Sequence, residues 1–497
     1  MPFYVIVYIP DKADIVTRKA GNLLQYTLSA RVKNSNKKNE KTPGVRIISA
    51  RHAKTDGKKL VFILGKTSLY PEFQDALPLA EIAGHPQGYY IYTPHDLPHV
   101  IFLGGNNSQG IYYAVLSAIQ LIDGKQPVFH NARIVDYPDF ENRYFTLGDM
   151  PDQSSAIHYA EISGELADYK MNGVFYSSTE KKDLLPGSPL HMYKDKMSQQ
   201  PLFGLGVISP DKTVDPGIKA DRVVYAPVWI LPEDSTLCYP VSMNLALSDS
   251  SISTKSMLIA PVYNNYLLDY LQYMNQVTLN SSSTARFYSG SSFFSLNTDD
   301  ADFARYFAYA HSKPVFMDNS MLTSTRWGLY NGAYPYYPGK IRLFSIIEPF
   351  VNPGIADHLG QLDTSMYWIN QPARSEIDVI RLATAADFMW NTRNYNPDYS
   401  LWKVLASRYG VDAARELIHY SNQYGLMLET ELKLQRNEQI QRNLKNIRED
   451  LTDLSVSTRN LEKWLGSDHP LMKDIQSLNT LLKARLEQLT SSKVSNP

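Results

Sequence analysis

The chain has 497 residues, with 43% hydrophobic residues to fill its cores, and that length is enough for about three domains. A net charge of −1 speaks against nucleic acid or an anionic membrane surface as partner, because both demand a basic face. The single cysteine, Cys238, excludes an intrachain disulfide and a cysteine metal cluster, and no run approaches the roughly 18 apolar residues of a membrane span.

The 34 tyrosines and six tryptophans suit carbohydrate binding and ordinary cores alike. Residues 1–135 read as one α+β domain. Residues 4–9 (YVIVYI) form a strand, and residues 11–28 carry apolar residues at helical spacing, with Asp11 as N-cap. Residues 60–64 (LVFIL) form a second strand, and residues 88–92 and 99–103 a hairpin. The glycine-rich run 104–110 then leads into a helix over 111–122. Such a loop can cradle phosphate, but this one lacks the Gly-Lys-Ser/Thr ending of a P-loop and reads as a structural turn. His95 and His99 stand four apart with Pro98 between them, which forbids a helical metal pair.

From about residue 136 to 368 strands alternate with helices. Strands are expected at 143–148, 171–176, 223–231, 243–247, 257–260, 286–290 and 314–317, with helices at 156–170 and 299–310. Residues 181–220, rich in Pro and Gly, read as a long loop. Strands alternating with helices imply a parallel sheet, and this many imply a (β/α)8-type barrel of TIM-like class. From about 369 to the end the pattern is helical. Pro397 suits the first turn of a helix. Ile440, Leu444, Ile447, Leu451, Leu454 and Leu461, then Leu471, Ile475, Leu478, Leu482 and Leu486, recur at heptad-like spacing. That spacing predicts an antiparallel bundle, with a coiled-coil dimerisation arm as the alternative.

Hydrolysis of a glycosidic bond ordinarily needs two carboxyl groups, unless a 2-acetamido group of the substrate supplies the nucleophile. Three acidic sites stand near predicted strand ends. Asp299-Asp300 opens a helix, where acids favour the dipole. Glu233-Asp234 follows the strand at 223–231. Asp249 stands alone among serines after the strand at 243–247, and a turn or N-cap is its bland reading.

The chain resembles glycoside hydrolase family 84, the β-N-acetylglucosaminidases that include O-GlcNAcases and bacterial hyaluronidase-like enzymes. The matching blocks are residues 88–113 of a hexosaminidase-type N-terminal domain, Asp136-Tyr137-Pro138, and residues 143–148 at the barrel entry. Further blocks are Phe316-Met317-Asp318-Asn319, Val351-Asn352-Pro353-Gly354, residues 385–391 and Tyr395-Asn396-Pro397. Their order covers most of the chain. The resemblance implies that Gly148, at the end of the first barrel strand, touches the sugar. It implies sugar-binding roles for Asn319, Asn352 and, by a looser match, Tyr263. The family's adjacent aspartates end the fourth strand, and Ser248-Asp249 stands in their place. Asp249 is thus the implied acid/base, and the carboxylate that orients the acetamido group is replaced. Thr179 replaces a binding lysine, with Lys181 and Lys182 displaced, and Ser324 replaces a sugar-binding aspartate. The short interval between Cys238 and Met243 implies an abbreviated barrel.

A serine cannot offset an oxazolinium-like charge as a carboxylate does, and losing one such group typically costs about 10²- to 10³-fold in rate. The expectation is therefore a barrel that binds N-acetylhexosamine-containing glycans with catalysis altered or lost. The alternatives are an active β-N-acetylglucosaminidase using Asp249, with Glu233 or Asp234 as helper, and an assembly protein that uses its C-terminal helices to oligomerise. A glycan or glycoconjugate is the expected partner, no cofactor is required, and the resemblance implies export after removal of a leader. The run 3–9 is too short to be that leader.

Overall fold

The structure is a computed structural model that describes residues 5–35, 44–54, 57, 59–65, 70–122, 131–177, 187–198, 200, 202–209, 222–225, 256–258, 288–290, 315–318, 366–373, 375–435 and 440–495. The chain divides into two compact units, residues 1–138 with 199–202, and residues 139–198 with 203–497.

The first unit contains β1 (Val5–Pro10), α1 (Ile15–Ser35), β2 (Val45–Ala50), β3 (Leu60–Leu64), α2 (Leu79–Ile82), β4 (Tyr89–Tyr92), β5 (Val100–Gly105), α3 (Ser108–Leu121) and β6 (Arg133–Asp136). Its sheet runs β2-β1-β3-β5-β4-β6. The first four strands are parallel, and β4 is antiparallel to both β5 and β6. The expected hairpin at 88–103 is present as β4–β5. One face packs Tyr8, Val61, Ile63, Tyr90 and Phe102 into a core with Leu77 and Ile82. The cap of α1 is Asp14, whose Oδ1 accepts the Thr17 N–H at 2.8 Å, rather than the expected Asp11. Asp11 instead pairs with Arg51 at the surface. The helix therefore begins a turn later, past the Pro10 end of β1.

The second unit begins with β7 (Asn142–Leu147), α4 (Gln153–Asp168), β8 (Gly173–Ser177), α5 (Pro189–Met197), β9 (Gly204–Ser209) and β10 (Arg222–Tyr225). It continues with β11 (Ser256–Leu258), β12 (Tyr288–Gly290), β13 (Val315–Asp318) and β14 (Met366–Pro372). All are parallel, in the order β11-β10-β9-β8-β7-β14-β13-β12. Read from β7, each strand neighbours the next in sequence, and the last, β14, returns to pair with the first. No β11–β12 pair is found among the described residues, so the described sheet is open at that seam.

Three expectations change here. Residues 181–220 are not one loop, because they contain α5 and β9. Ser188 caps α5 with Pro189 in its first turn, a sequence signal for a helix start. The fourth strand is β10, and it pairs directly with β11. The strand expected at 243–247 falls outside the described residues, as does the helix expected at 299–310. The helical pattern starts later than 370, because β14 runs to Pro372.

Helices α6 (Glu376–Trp390), α7 (Pro397–Tyr409), α8 (Val411–Gln435), α9 (Ile440–Leu465) and α10 (Pro470–Ser495) complete the chain. Thirteen of the 15 residues of α6 are buried, as expected for a helix covered on all sides. It packs on β7, α4, α7 and α10. Pro397 stands in the first turn of α7 after the cap Asn396. In the last three helices Ser457 bonds Glu416, Asn479 bonds Thr458, and Gln476 bonds Glu462. Those pairings make α8–α9 and α9–α10 antiparallel. The heptad-like residues Ile447, Leu454, Leu461, Leu471, Ile475, Leu482 and Leu486 are buried in this same core.

Candidate functional site

The strands of the parallel sheet bury both faces. Phe145, Leu147, Val174, Tyr176, Tyr367 and Ile369 pack with helix residues such as Ile162, Leu166, Ile380 and Leu382. Side chains alternate along a strand, so Tyr144, Thr146, Gly173, Phe175, Gly206 and Trp368 take the other, inner face. Tyr144, Thr146, Phe175 and Trp368 are all buried there. The rings of Tyr144 and Phe175 lie 5.1 Å apart, and those of Phe175 and Trp368 4.6 Å apart. Glycines on neighbouring strands make room for them. A Cβ on Gly173 would stand 2.1 Å from the Tyr144 ring, and one on Gly206 2.2 Å from the Phe175 ring. Large rings on one strand thus fill the space left by glycines on the next.

Polar chemistry on this face begins one level higher. The Trp368 indole N–H donates to Thr146 Oγ1 at 2.9 Å, and the Thr146 hydroxyl donates to the Ile369 carbonyl at 3.4 Å. Gly148 follows β7 immediately and is buried. By alternation it occupies the same inner face as Thr146, at the C-terminal end where α/β sheets bind ligands. Asp149 follows it and is exposed. Nearby, Asp152 caps α4. The Ser155 backbone N–H and the Ser155 and Ser154 hydroxyls hold its carboxyl below the usual carboxylate range, so this acid is committed to the helix.

The opposite end of the sheet is structural. Arg143 is wholly buried, donates to the carbonyls of Lys170 and Glu141 at 2.8 and 3.0 Å, and lies over the Trp390 ring. Asn172 accepts the Arg143 N–H at 2.7 Å and donates to the Glu141 carbonyl at 2.8 Å. These bonds satisfy carbonyls where strands enter the sheet.

Of the site residues expected from sequence, Gly148 is placed at the end of β7. Asp318 ends β13, and Asn319 is the next residue. Asn319, Asp249, Tyr263 and Asn352 lie outside the described residues, as do Thr179, Lys181, Lys182, Glu233, Asp234, Ser248 and Ser324. Residues 226–255, which join β10 to β11, contain both Glu233-Asp234 and Ser248-Asp249. Trp368, Phe175 and Thr146 escaped the sequence reading, although the apolar run 366–369 was a strand signal. Among the described residues no group of three His, Cys, Asp or Glu could hold a metal. The glycine-rich run 104–110 is a packing turn. Asn107 Oδ1 accepts the N–H groups of Gln109 and Gly110, and a Cβ on Gly110 would stand 2.2 Å from the Gly88 carbonyl oxygen.

No family model matches the chain, and no curated protein does. Solved structures do match. CpGH84D superposes with a TM-score of 0.61 at 13% identity, covering 99% of this chain and 87% of that one. CpGH84B superposes with a TM-score of 0.50 at 14% identity, covering 98% and 88%. At such identities the likeness extends to the fold and not to individual residues. The chain has a GH84-like mixed α/β fold, with a parallel sheet and a helical C-terminal region.

Proposed function

We propose that the eight parallel strands close into a (β/α)8 barrel whose C-terminal rim binds N-acetylhexosamine-containing glycans, with catalysis altered or lost. The observation that carries this reading is the cyclic strand order, β7 through β14 with β14 beside β7, in a chain that follows a GH84 structure over nearly its whole length. A buried aromatic floor of Tyr144, Phe175 and Trp368 below Gly148 leaves the rim as the place for a ligand. Gly148 is the backbone contact, and Tyr263, Asn319 and Asn352 are the polar groups assigned to the sugar. Asp249 is the remaining acid/base, without the adjacent carboxylate that would orient the acetamido group. The partner is a glycan or glycoconjugate, met after export.

Two measurements test this. Titration of N-acetylglucosamine and its oligomers by calorimetry should give saturable binding. A chromogenic β-N-acetylglucosaminide should turn over not at all, or about 10²- to 10³-fold more slowly than an enzyme with both carboxyl groups. Efficient turnover abolished by Asp249→Asn would replace this reading with that of an active hydrolase. Neither binding nor turnover, with a concentration-dependent oligomer, would leave an assembly role.

A further inference from the structure

The pairing of β7 with β14 changes register at the rim. Phe145 faces Ile369, but the next residue, Thr146, faces Pro372. Asn370 and Gln371 are therefore looped out of the register, next to the strand end that carries Gly148. A bulge at a strand end redirects the residues it contains, and bulges collect beside binding sites.

One side chain ties this bulge to the floor. Thr146 Oγ1 accepts the indole N–H of Trp368, two residues before Asn370, at 2.9 Å. Its hydroxyl lies 3.4 Å from the carbonyl of Ile369, the last residue before the register breaks. Trp368 is held in turn against Phe175, and both Thr146 and Trp368 are buried. One hydroxyl thus bonds the side chain below the bulge and the backbone at its start. A valine would fill the same space and make neither bond.

We infer that Thr146 is a positioning residue of the rim: its hydroxyl bonds to Trp368 and Ile369 set the β14 bulge, and thereby the path of the backbone that runs beside the end of β7. This inference rests on the glycan-binding reading above. The test is calorimetric titration of N-acetylglucosamine, which has no glycosidic bond to cleave, into the full chain and three variants. Thr146→Val should weaken binding about tenfold, and Thr146→Ser, which keeps the hydroxyl, should stay within about twofold of the parent. Trp368→Phe keeps a ring but removes the N–H donor, and should weaken binding in the same direction, which also covers a Thr146→Val chain that fails to fold. Thr146→Val binding like the parent would overturn the inference. So would Thr146→Ser weakening as much as Thr146→Val, because methyl packing would then be the cause. A parent chain that does not bind N-acetylglucosamine would overturn the glycan reading itself, before any variant is compared.

Discussion

Gly206 is a position where one hydrogen atom decides the packing of the sheet. A methyl group there would overlap the ring of Phe175, which is itself wedged between Tyr144 and Trp368. The ring is wholly buried, so Gly206→Ala should destabilise the second unit by about 1–3 kcal/mol, the usual cost of overpacking a filled core. Urea unfolding followed by tryptophan fluorescence measures this, and a variant as stable as the parent would show that the inner face is looser than its contacts imply. Gly410 is a different case. No atom lies within 4 Å of where a Cβ would stand, but its φ of +85° is left-handed, so any penalty there comes from the backbone. The two glycines look alike in the sequence, and only the packing separates a steric role from a conformational one. The same limit applies at Asp11 and Asp14. Both are helix-start residues by type, and only the geometry at the end of β1 shows that Asp14 accepts the bond.

Among the elements, α8 and α10 are joined by a buried ion pair. Glu431 Oε1 lies 2.9 Å from Arg485 Nε, with the Glu431 side chain only 2% exposed. Burial raises the Glu431 pKa, and the Arg485 guanidinium opposes that rise. Removing the cation while keeping an apolar stem, as in Arg485→Met, takes away the charge that the buried Glu431 carboxylate pairs with. The variant should lose roughly 2–4 kcal/mol near neutral pH. The pH dependence has a definite sign. With its cation gone, the carboxyl group is raised further above its unfolded value. A group so raised contributes stability below its unfolded pKa and loses that contribution as pH rises through the folded value. The gap between variant and parent should therefore narrow on acidification towards pH about 4 and widen again at neutrality. Thermal melts at several pH values read this directly, and a gap that does not change with pH would mean that the loss does not act through Glu431. The heptad-like leucines of these helices were legible in the sequence. Their use was not, because a leucine seam has the same spacing whether it meets a second chain or its own next helix. Here it meets α8, α9 and α10 of one chain.

At the scale of the whole molecule, the alternation of strands and helices was legible because β8, β10 and β13 carry short apolar runs. Two members were hidden. In β9 the sequence Gly204-Leu205-Gly206 reads as a flexible loop, yet Gly206 is the counterpart of the Phe175 ring. The strand β14 is separated from the buried helix α6 by only three residues, and only its first four residues, 366–369, are apolar. Missing β9 made 222–225 the third strand instead of the fourth and moved the fourth to 243–247, and with it the frame in which Asp249 was placed. Of the site residues expected from sequence, only Gly148 lies among the described residues. The Thr146–Trp368 bond joins residues 222 positions apart, and no local pattern announces such a pair. Whether the sheet closes is a separate question that hydrogen exchange answers. In a parallel sheet, successive residues bond alternately to the strands on either side, so a strand with one neighbour protects alternate amides and a strand with two protects them all. Interior β9, between β8 and β10, sets the standard for two-sided protection. Closure predicts that successive amides of Ser256–Leu258 and of Tyr288–Gly290 exchange as slowly as those of Gly204–Ser209. Alternating fast and slow amides in β11 and β12 would instead mark two true edges, and would rule out the closed barrel on which the rim-binding reading depends.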